Sequence, residues 1–351
     1  MYKDIDNMVF SGGGVLGIAY LGALDYMYGK GLINNLQRAA GTSAGAVTAC
    51  ILSFNLSFQE MKEIADSLDF RKIPYSPDEE ILKYIPKELK SRIEGVLGDI
   101  DCLYRLISRY GWYSTDYLYE WIKSVISRQF DRSKKDPPYT FSDFRNREIH
   151  IGKRQFLDLY IMGTNLSEGR AQVFSYETAA DMEVAEAVRI SMSIPLFFAA
   201  ETIQDSSVAS GRNVSIFSDG GVMNNYPINI FDIPAFNKGV QGANPNTLGL
   251  CFKGKFEYKK IDNLLEFIER LFVSSMKVQQ DMFYNSFEDI RRSIIINSGD
   301  VSSVNFNVQA GDDTYNYLYK QGYDAAAEYF GSMRIMSHRS RPWNRFLKFY
   351  K

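Results

Sequence analysis

Histidine is almost missing from this chain: two residues, His150 and His338, stand among 351. His150 lies in the alternating, strand-like stretch Arg147-Glu148-Ile149-His150-Ile151, and His338 lies in a basic tail. Neither follows a strand in the loop setting that a catalytic imidazole occupies, so chemistry relayed through histidine has no candidate, and a structural or surface role is the reading for both. Cysteine is also scarce. Cys50, Cys102 and Cys251 are scattered and odd in number. They give neither metal-ligand spacing nor a disulfide framework, which suits a reducing compartment. No apolar run reaches the 18 or so residues of a membrane-spanning helix. The acidic start, Met1-Tyr2-Lys3-Asp4-Ile5-Asp6, lacks the basic segment and apolar stretch of a secretory signal. The expectation is a cytoplasmic protein, with export by a signal-less route left open. The net charge of −2 selects against nucleic acid as a partner, and any membrane affinity must be local.

What is present is ordinary globular stock, 45% hydrophobic and 23% charged, enough for a sizeable core. The length fits two domains or one elaborated α/β unit. In residues 7–54 a strand, a glycine turn and a helix occur twice over: Met8-Val9-Phe10 leads to the helix-like stretch Ile18–Tyr28, and Gly41–Gly45 leads to the apolar run Ala46–Phe54. That alternation predicts a mostly parallel sheet covered by helices. Residues from about 55 to 150 read as a helical insertion punctuated by prolines. Strand-like stretches return at Asp158–Thr164, Arg170–Phe174, Phe197–Ile203, Val214–Ser218, Thr247–Phe252 and Ser293–Ile296. Helical patterns lie between them at Met182–Met192, Asp262–Tyr284 and Thr314–Phe330.

Three motifs carry chemistry. Ser43 sits in Gly41-Thr42-Ser43-Ala44-Gly45, the Gly-x-Ser-x-Gly pattern in which small neighbours let a serine stand exposed on a sharp strand-to-helix turn. The same pattern also fits a plain tight turn before a buried helix. Gly12-Gly13-Gly14-Val15-Leu16-Gly17 follows the first strand, and its glycines permit amides to converge on an anion about 3 Å away. Gly12, Gly14 and Gly17 also fit a dinucleotide loop, but the acidic residue expected about 20 residues on is absent from Asn34–Ala40. Asp219-Gly220-Gly221 closes the strand Val214–Ser218, where an aspartate is either a reachable base or a turn residue bonding its own backbone.

In combination and order these motifs resemble the patatin-like phospholipase family. Two further stretches are similar to it, Ala187-Val188-Arg189-Ile190-Ser191-Met192-Ser193-Ile194-Pro195 and Gly221-Val222-Met223-Asn224-Asn225-Tyr226-Pro227; Leu16 stands where many members carry Arg or Lys. The resemblance covers roughly residues 7–230. It implies a three-layer α/β sandwich over residues 1–333 and an esterase that cleaves acyl esters of phospholipids or lysophospholipids. It further implies a dyad of Ser43 as nucleophile and Asp219 as base, with Gly12, Gly13 and Gly14 as the oxyanion hole and Gly17, Gly41, Gly45, Gly220 and Gly221 supporting the turns. No cofactor or metal is implied, and a protein activator is allowed. A catalytically silent binding module of the same fold, or an acyltransferase or thioesterase, are the alternatives. Peripheral membrane contact is expected from residues 334–351, where six basic residues mix with aromatics and no acid, and from the insertion.

Overall fold

The computed structural model describes residues 4–77, 99–204, 214–253, 258, 260–262 and 264–337. Its centre is one sheet. Strands β1 (Asn7–Phe10), β2 (Arg38–Thr42), β4 (Asp158–Asn165), β9 (Thr247–Phe252) and β10 (Ser293–Ile296) run parallel in the order β10-β9-β1-β2-β4. β8 (Val214–Asp219) and β5 (Arg170–Phe174) pair antiparallel to β4, and β7 (Glu201–Gln204) pairs antiparallel to β8. Strands covered on both faces read as unbroken apolar runs, and β1 is buried at every position. Met8 and Phe10 face a large core built with the helices Ile18–Gly29, Ala44–Ser53 and Asp313–Ser337. Val9, Ala40 and Tyr160 face a smaller one closed by Ile228 and Phe231. The expected α/β architecture, a mostly parallel sheet flanked by helices, is what forms.

Several boundaries differ from the sequence reading. The expected strand Phe197–Ile203 is two: β6 (Leu196–Phe198) leaves the main sheet to pair with β3 (Gly111–Tyr113), and β7 rejoins it. Leu196 sits at φ 64°, a left-handed backbone that redirects the chain as it enters β6. The strand-like stretch around His150 is instead two 3₁₀ turns, Arg147–Ile149 and Ile151–Lys153, because the Asn146 side chain caps the Glu148 N–H and the backbone turns at Gly152 (φ 64°). The insertion is helical as expected where it is described, with helices Phe58–Asp66, Ile100–Arg109, Asp116–Ser127 and Phe141–Arg145, but it also contributes β3. Its Met61, Leu68 and Ile73 are core, and Tyr84 lies outside the described residues. The expected boundary between 333 and 334 falls inside the helix Asp313–Ser337. The rest of the basic aromatic tail, including His338, lies outside the described residues.

β4 is the strand that matters for the site. Its Ile161 and Met162 pair with both β2 and β5, so those two strands lie on opposite edges. Gly163–Asn165 pair with both β5 and β8, which puts β8 on the same edge as β2. The two strands approach along that edge from opposite directions and meet end to end. Thr42 faces Met162, and Asp219 faces Gly163, the next residue along.

Candidate active site

Ser43 is the single residue between β2 and the Ala44–Ser53 helix, and it carries φ 53° and ψ −125°. A side-chain-bearing residue there costs roughly 1–3 kcal/mol and persists only where its surroundings enforce it. Here they do. The Ser43 N–H donates to Ser191 Oγ at 2.8 Å, and a Cβ at Gly41 would overlap the Gly45 carbonyl, while one at Gly45 would overlap the Phe10 and Ser11 carbonyls. The turn can be this tight only with glycine at both places. Ala46 and Val47 N–H donate to the Ser43 carbonyl at 2.8 and 3.3 Å, so the helix begins directly on the serine. Its N-terminal dipole then favours negative charge at that point.

The meeting of β2 and β8 brings Asp219 opposite. Its N–H donates to the Ser193 carbonyl at 2.8 Å, and its own carbonyl accepts from Thr164 Oγ1 at 2.9 Å, which pins the backbone. Of the carboxylate oxygens, Oδ1 accepts the Gly221 N–H at 2.6 Å and Oδ2 has no hydrogen-bond partner. Complete burial pushes the carboxyl pKa up to about 7, against smaller lowering effects from the Gly221 N–H and the Ser43 hydroxyl. The serine is thus close enough to influence the carboxylate, yet its hydroxyl is directed at Met192 Sδ, 3.7 Å away. The unpartnered Oδ2 shows that no hydrogen bond joins the two side chains in this structure.

The glycine loop passes over Ser43. A Cβ at Gly12 would stand 3.1 Å from the Ser43 Cβ and would overlap the Asn225 side-chain oxygen. Gly12 departs from the sequence reading in one respect: its N–H donates to the Asn225 carbonyl at 2.9 Å and is therefore taken. Gly13, Gly14 (φ 54°) and Ala44 donate their N–H groups to no described residue. Gly17 packs on Ala44, and Gly220 on the Met162 carbonyl. Gly221 supplies the amide bonded to Asp219 and abuts Phe272 of the Leu264–Tyr284 helix.

Several residues that position the site were not assigned a role from sequence. Ser191 and Met192 bond Ser43, and the Ser193 carbonyl accepts from the Asp219 N–H and, at 2.7 Å, from Ser218 Oγ. They lie in the Ala187–Pro195 stretch whose family likeness was the available signal. Thr42 Oγ1 bonds the Asn224 carbonyl at 2.9 Å, and Gln279 holds Asn225 N–H at 2.6 Å while donating to the Gly221 and Val222 carbonyls. His150, by contrast, is buried and stacked on Phe156, and both ring nitrogens lie 2.8 Å from backbone carbonyls, of Arg154 and Asp143. It is structural. Among the described residues no group of three His, Cys, Asp or Glu is placed to hold a metal ion.

Two spaces flank the loop. A narrow apolar groove starts at Ala44 and Met192, beside Ser43, and runs under the insertion to Leu68, Ile73 and Trp121; its free volume is about 60 Å³. On the other side a cavity of about 770 Å³ opens between Gly12–Gly13 and the Leu264–Tyr284 helix, lined by Asn225, Asn229, Gln279 and Gln280 together with Lys253 and Phe252.

Comparison with known proteins identifies the family and the fold. The chain is 25% identical to protein R571 of Acanthamoeba polyphaga mimivirus over 323 residues, covering 89% of this chain and 90% of that one. It is 26% identical over 232 residues to the probable lipid hydrolase 463L of Invertebrate iridescent virus 6, covering 65% of this chain and 63% of the relative, so it spans less than two thirds of that protein. VipD from Legionella pneumophila shares the fold with a TM-score of 0.55 at 19% identity, over 94% of this chain and 67% of VipD. The family model described as patatin-like phospholipase matches residues 8–232, which is more than half the chain and contains the glycine loop, Ser43 and Asp219. The chain belongs to the patatin-like phospholipase family.

Proposed function

We propose that the protein hydrolyses acyl esters of glycerophospholipids or lysophospholipids through Ser43 and Asp219. The observation that carries this reading is the strained Ser43, held at φ 53° beside a buried carboxylate with one free oxygen. Strain enforced from several sides at one serine is the signature of a positioned nucleophile.

Ser43 Oγ attacks the ester carbonyl and its proton passes to Asp219 Oδ2. The carbonyl oxygen becomes an oxyanion, for which the unoccupied N–H groups of Gly13, Gly14 and Ala44 are the candidate donors. The tetrahedral intermediate collapses, the C–O bond to the glycerol oxygen breaks, and Asp219 returns the proton to that leaving oxygen. Water, deprotonated by Asp219, then attacks the acyl-serine, releasing the fatty acid and restoring the serine. An ordinary aspartate is a weak base for this work. Burial corrects that, because a carboxyl moved to about 7 is a stronger base than one in water. The acyl chain fits the apolar groove in kind, and the wider amide-lined cavity suits the polar remainder.

The pH dependence follows from the direction of the shift. Asp219 is competent as a base only when deprotonated, so kcat/KM should rise with pH and level off above about 7. Stability moves the other way. The folded pKa is raised, so this group's contribution is full below its ordinary value of 3.8 and is lost as pH climbs through about 7. Hydrolysis of phosphatidylcholine and lysophosphatidylcholine in mixed micelles, followed by fatty-acid release across pH and paired with fluorophosphonate labelling, is the test. Absence of label on Ser43, or a rate flat from acid to neutral pH, would refute the dyad.

A further inference from the structure

The Leu264–Tyr284 helix has two unlike sides. The inner side closes the amide-lined cavity with Val273, Met276, Gln279 and Gln280, and its Phe272 touches the Gly221 turn that holds Asp219. The outer side carries Phe267, Leu271, Val278 and Met282, which are 52, 56, 63 and 69% exposed, and Met282 also reaches the rim of the cavity. At 100° per residue these four positions fall within about 60° of one another around the helix, so they make one stripe rather than scattered apolar residues. Met223, on the short helix after Asp219, is exposed too and lines the same cavity.

We propose that this stripe is the surface by which the protein lands on an uncharged lipid–water interface. Three observations select that occupant. Together the four side chains expose roughly 400 Å², about half of what one side of a stable protein–protein interface buries, which is too little for a second copy of the chain. It is nevertheless the size at which an apolar patch on a monomer marks a function. The stripe itself has no charge, and beside it Lys277 is neutralised by Asp281 at 2.6 Å, so the face complements zwitterionic headgroups rather than an anionic surface. Finally, the same helix roofs the cavity next to the glycine loop, so whatever the stripe rests on lies next to the site. Apolar side chains entering the headgroup layer then deliver a lipid to that cavity without its crossing open water. The inference rests on the lipid-ester reading of Ser43 and Asp219, but it is tested separately.

Co-sedimentation of the full chain with phosphatidylcholine vesicles is the measurement. The double variant Leu271→Asp/Val278→Asp should lower vesicle partitioning by about tenfold or more, while hydrolysis of a water-soluble short-chain ester stays within about twofold of wild type. Leu271→Trp/Val278→Trp, which keeps the face apolar, should strengthen binding and guards against a misfolded aspartate variant. Unchanged partitioning in both doubles overturns the proposal. So does binding that requires anionic lipid and is reversed by salt, which would assign the contact to basic residues elsewhere. A dimer in solution that the aspartate substitutions dissolve overturns it as well. A wild type that leaves the soluble ester intact yet binds vesicles through the stripe would remove the dyad and leave this surface standing.

Discussion

The two spaces beside the glycine loop share a wall and differ in everything else. The groove under the insertion is tight and apolar, walled by Leu21, Val47, Ile51, Met61 and Leu68. The cavity under the Leu264–Tyr284 helix is more than ten times larger and carries asparagines, glutamines, serines and a lysine. The glycine loop lines both, Gly12, Gly13 and Leu16 on the side of the cavity and Gly14 and Gly17 on the side of the groove. On the proposed reading, an amphiphilic ester lies across both with its scissile bond over Ser43. The groove has little free volume as it stands, about 60 Å³, so on that reading a long acyl chain displaces insertion side chains, while the cavity of about 770 Å³ has room for the polar part.

The sharpest way to break this comparison is to remove what the two spaces have in common. Ser43→Ala and Asp219→Asn should each lower turnover by about three orders of magnitude on every ester, because residues that act as one unit fail together. Asp219→Asn should at the same time be as stable as wild type or more so above pH 7, since it deletes a buried carboxylate; thermal melts at acid and alkaline pH check the sign. A smaller effect acts on one side only. Ala65 lines the apolar groove, and Ala65→Phe should shift the preference for short over long acyl chains by roughly tenfold, read as a ratio of kcat/KM values, while leaving short-chain turnover close to wild type. The smallest belongs to the polar side. Gln279→Ala unties Asn225, Gly221 and Val222 and should cost about 1–2 kcal/mol in a denaturant titration, with a few-fold loss of rate as the Asp219 turn loosens.

How far these regions could be read in advance follows from the range of the interactions. Ser43, its flanking glycines and the Asp219-Gly220-Gly221 turn announce themselves over five residues or fewer, because their constraints are local and steric. The parallel strands were legible as apolar runs. The direction of β8 was not, for a strand read from periodicity carries no arrow, and only its pairing with Gly163–Asn165 shows it running against β4. Gly12 shows the same limit at atomic scale: its amide is claimed by Asn225, more than two hundred positions away, so a pattern of glycines could suggest three free donors where one is engaged. The roles of Ser191 and Ser193 were hidden likewise, since each bonds backbone from a distant segment. The amide-lined cavity joins the first strand turn to a helix near residue 270, and no local pattern connects them.

The head-on meeting of β2 and β8 against one edge of β4 makes the chemistry a matter of counting. Neighbouring residues of a strand point to opposite sides of the sheet, so moving β8 by a single position would present Ser218 in place of Asp219 and turn the carboxylate to the far face. The excursion between the two strands is not uniformly free, since β4, Thr164, Ser191 and Ser193 lie within it and hold both strand ends. A one-residue deletion inside β8 should therefore be more damaging than the loss of a turn from the exposed loop at residues 131–138, which touches neither strand end.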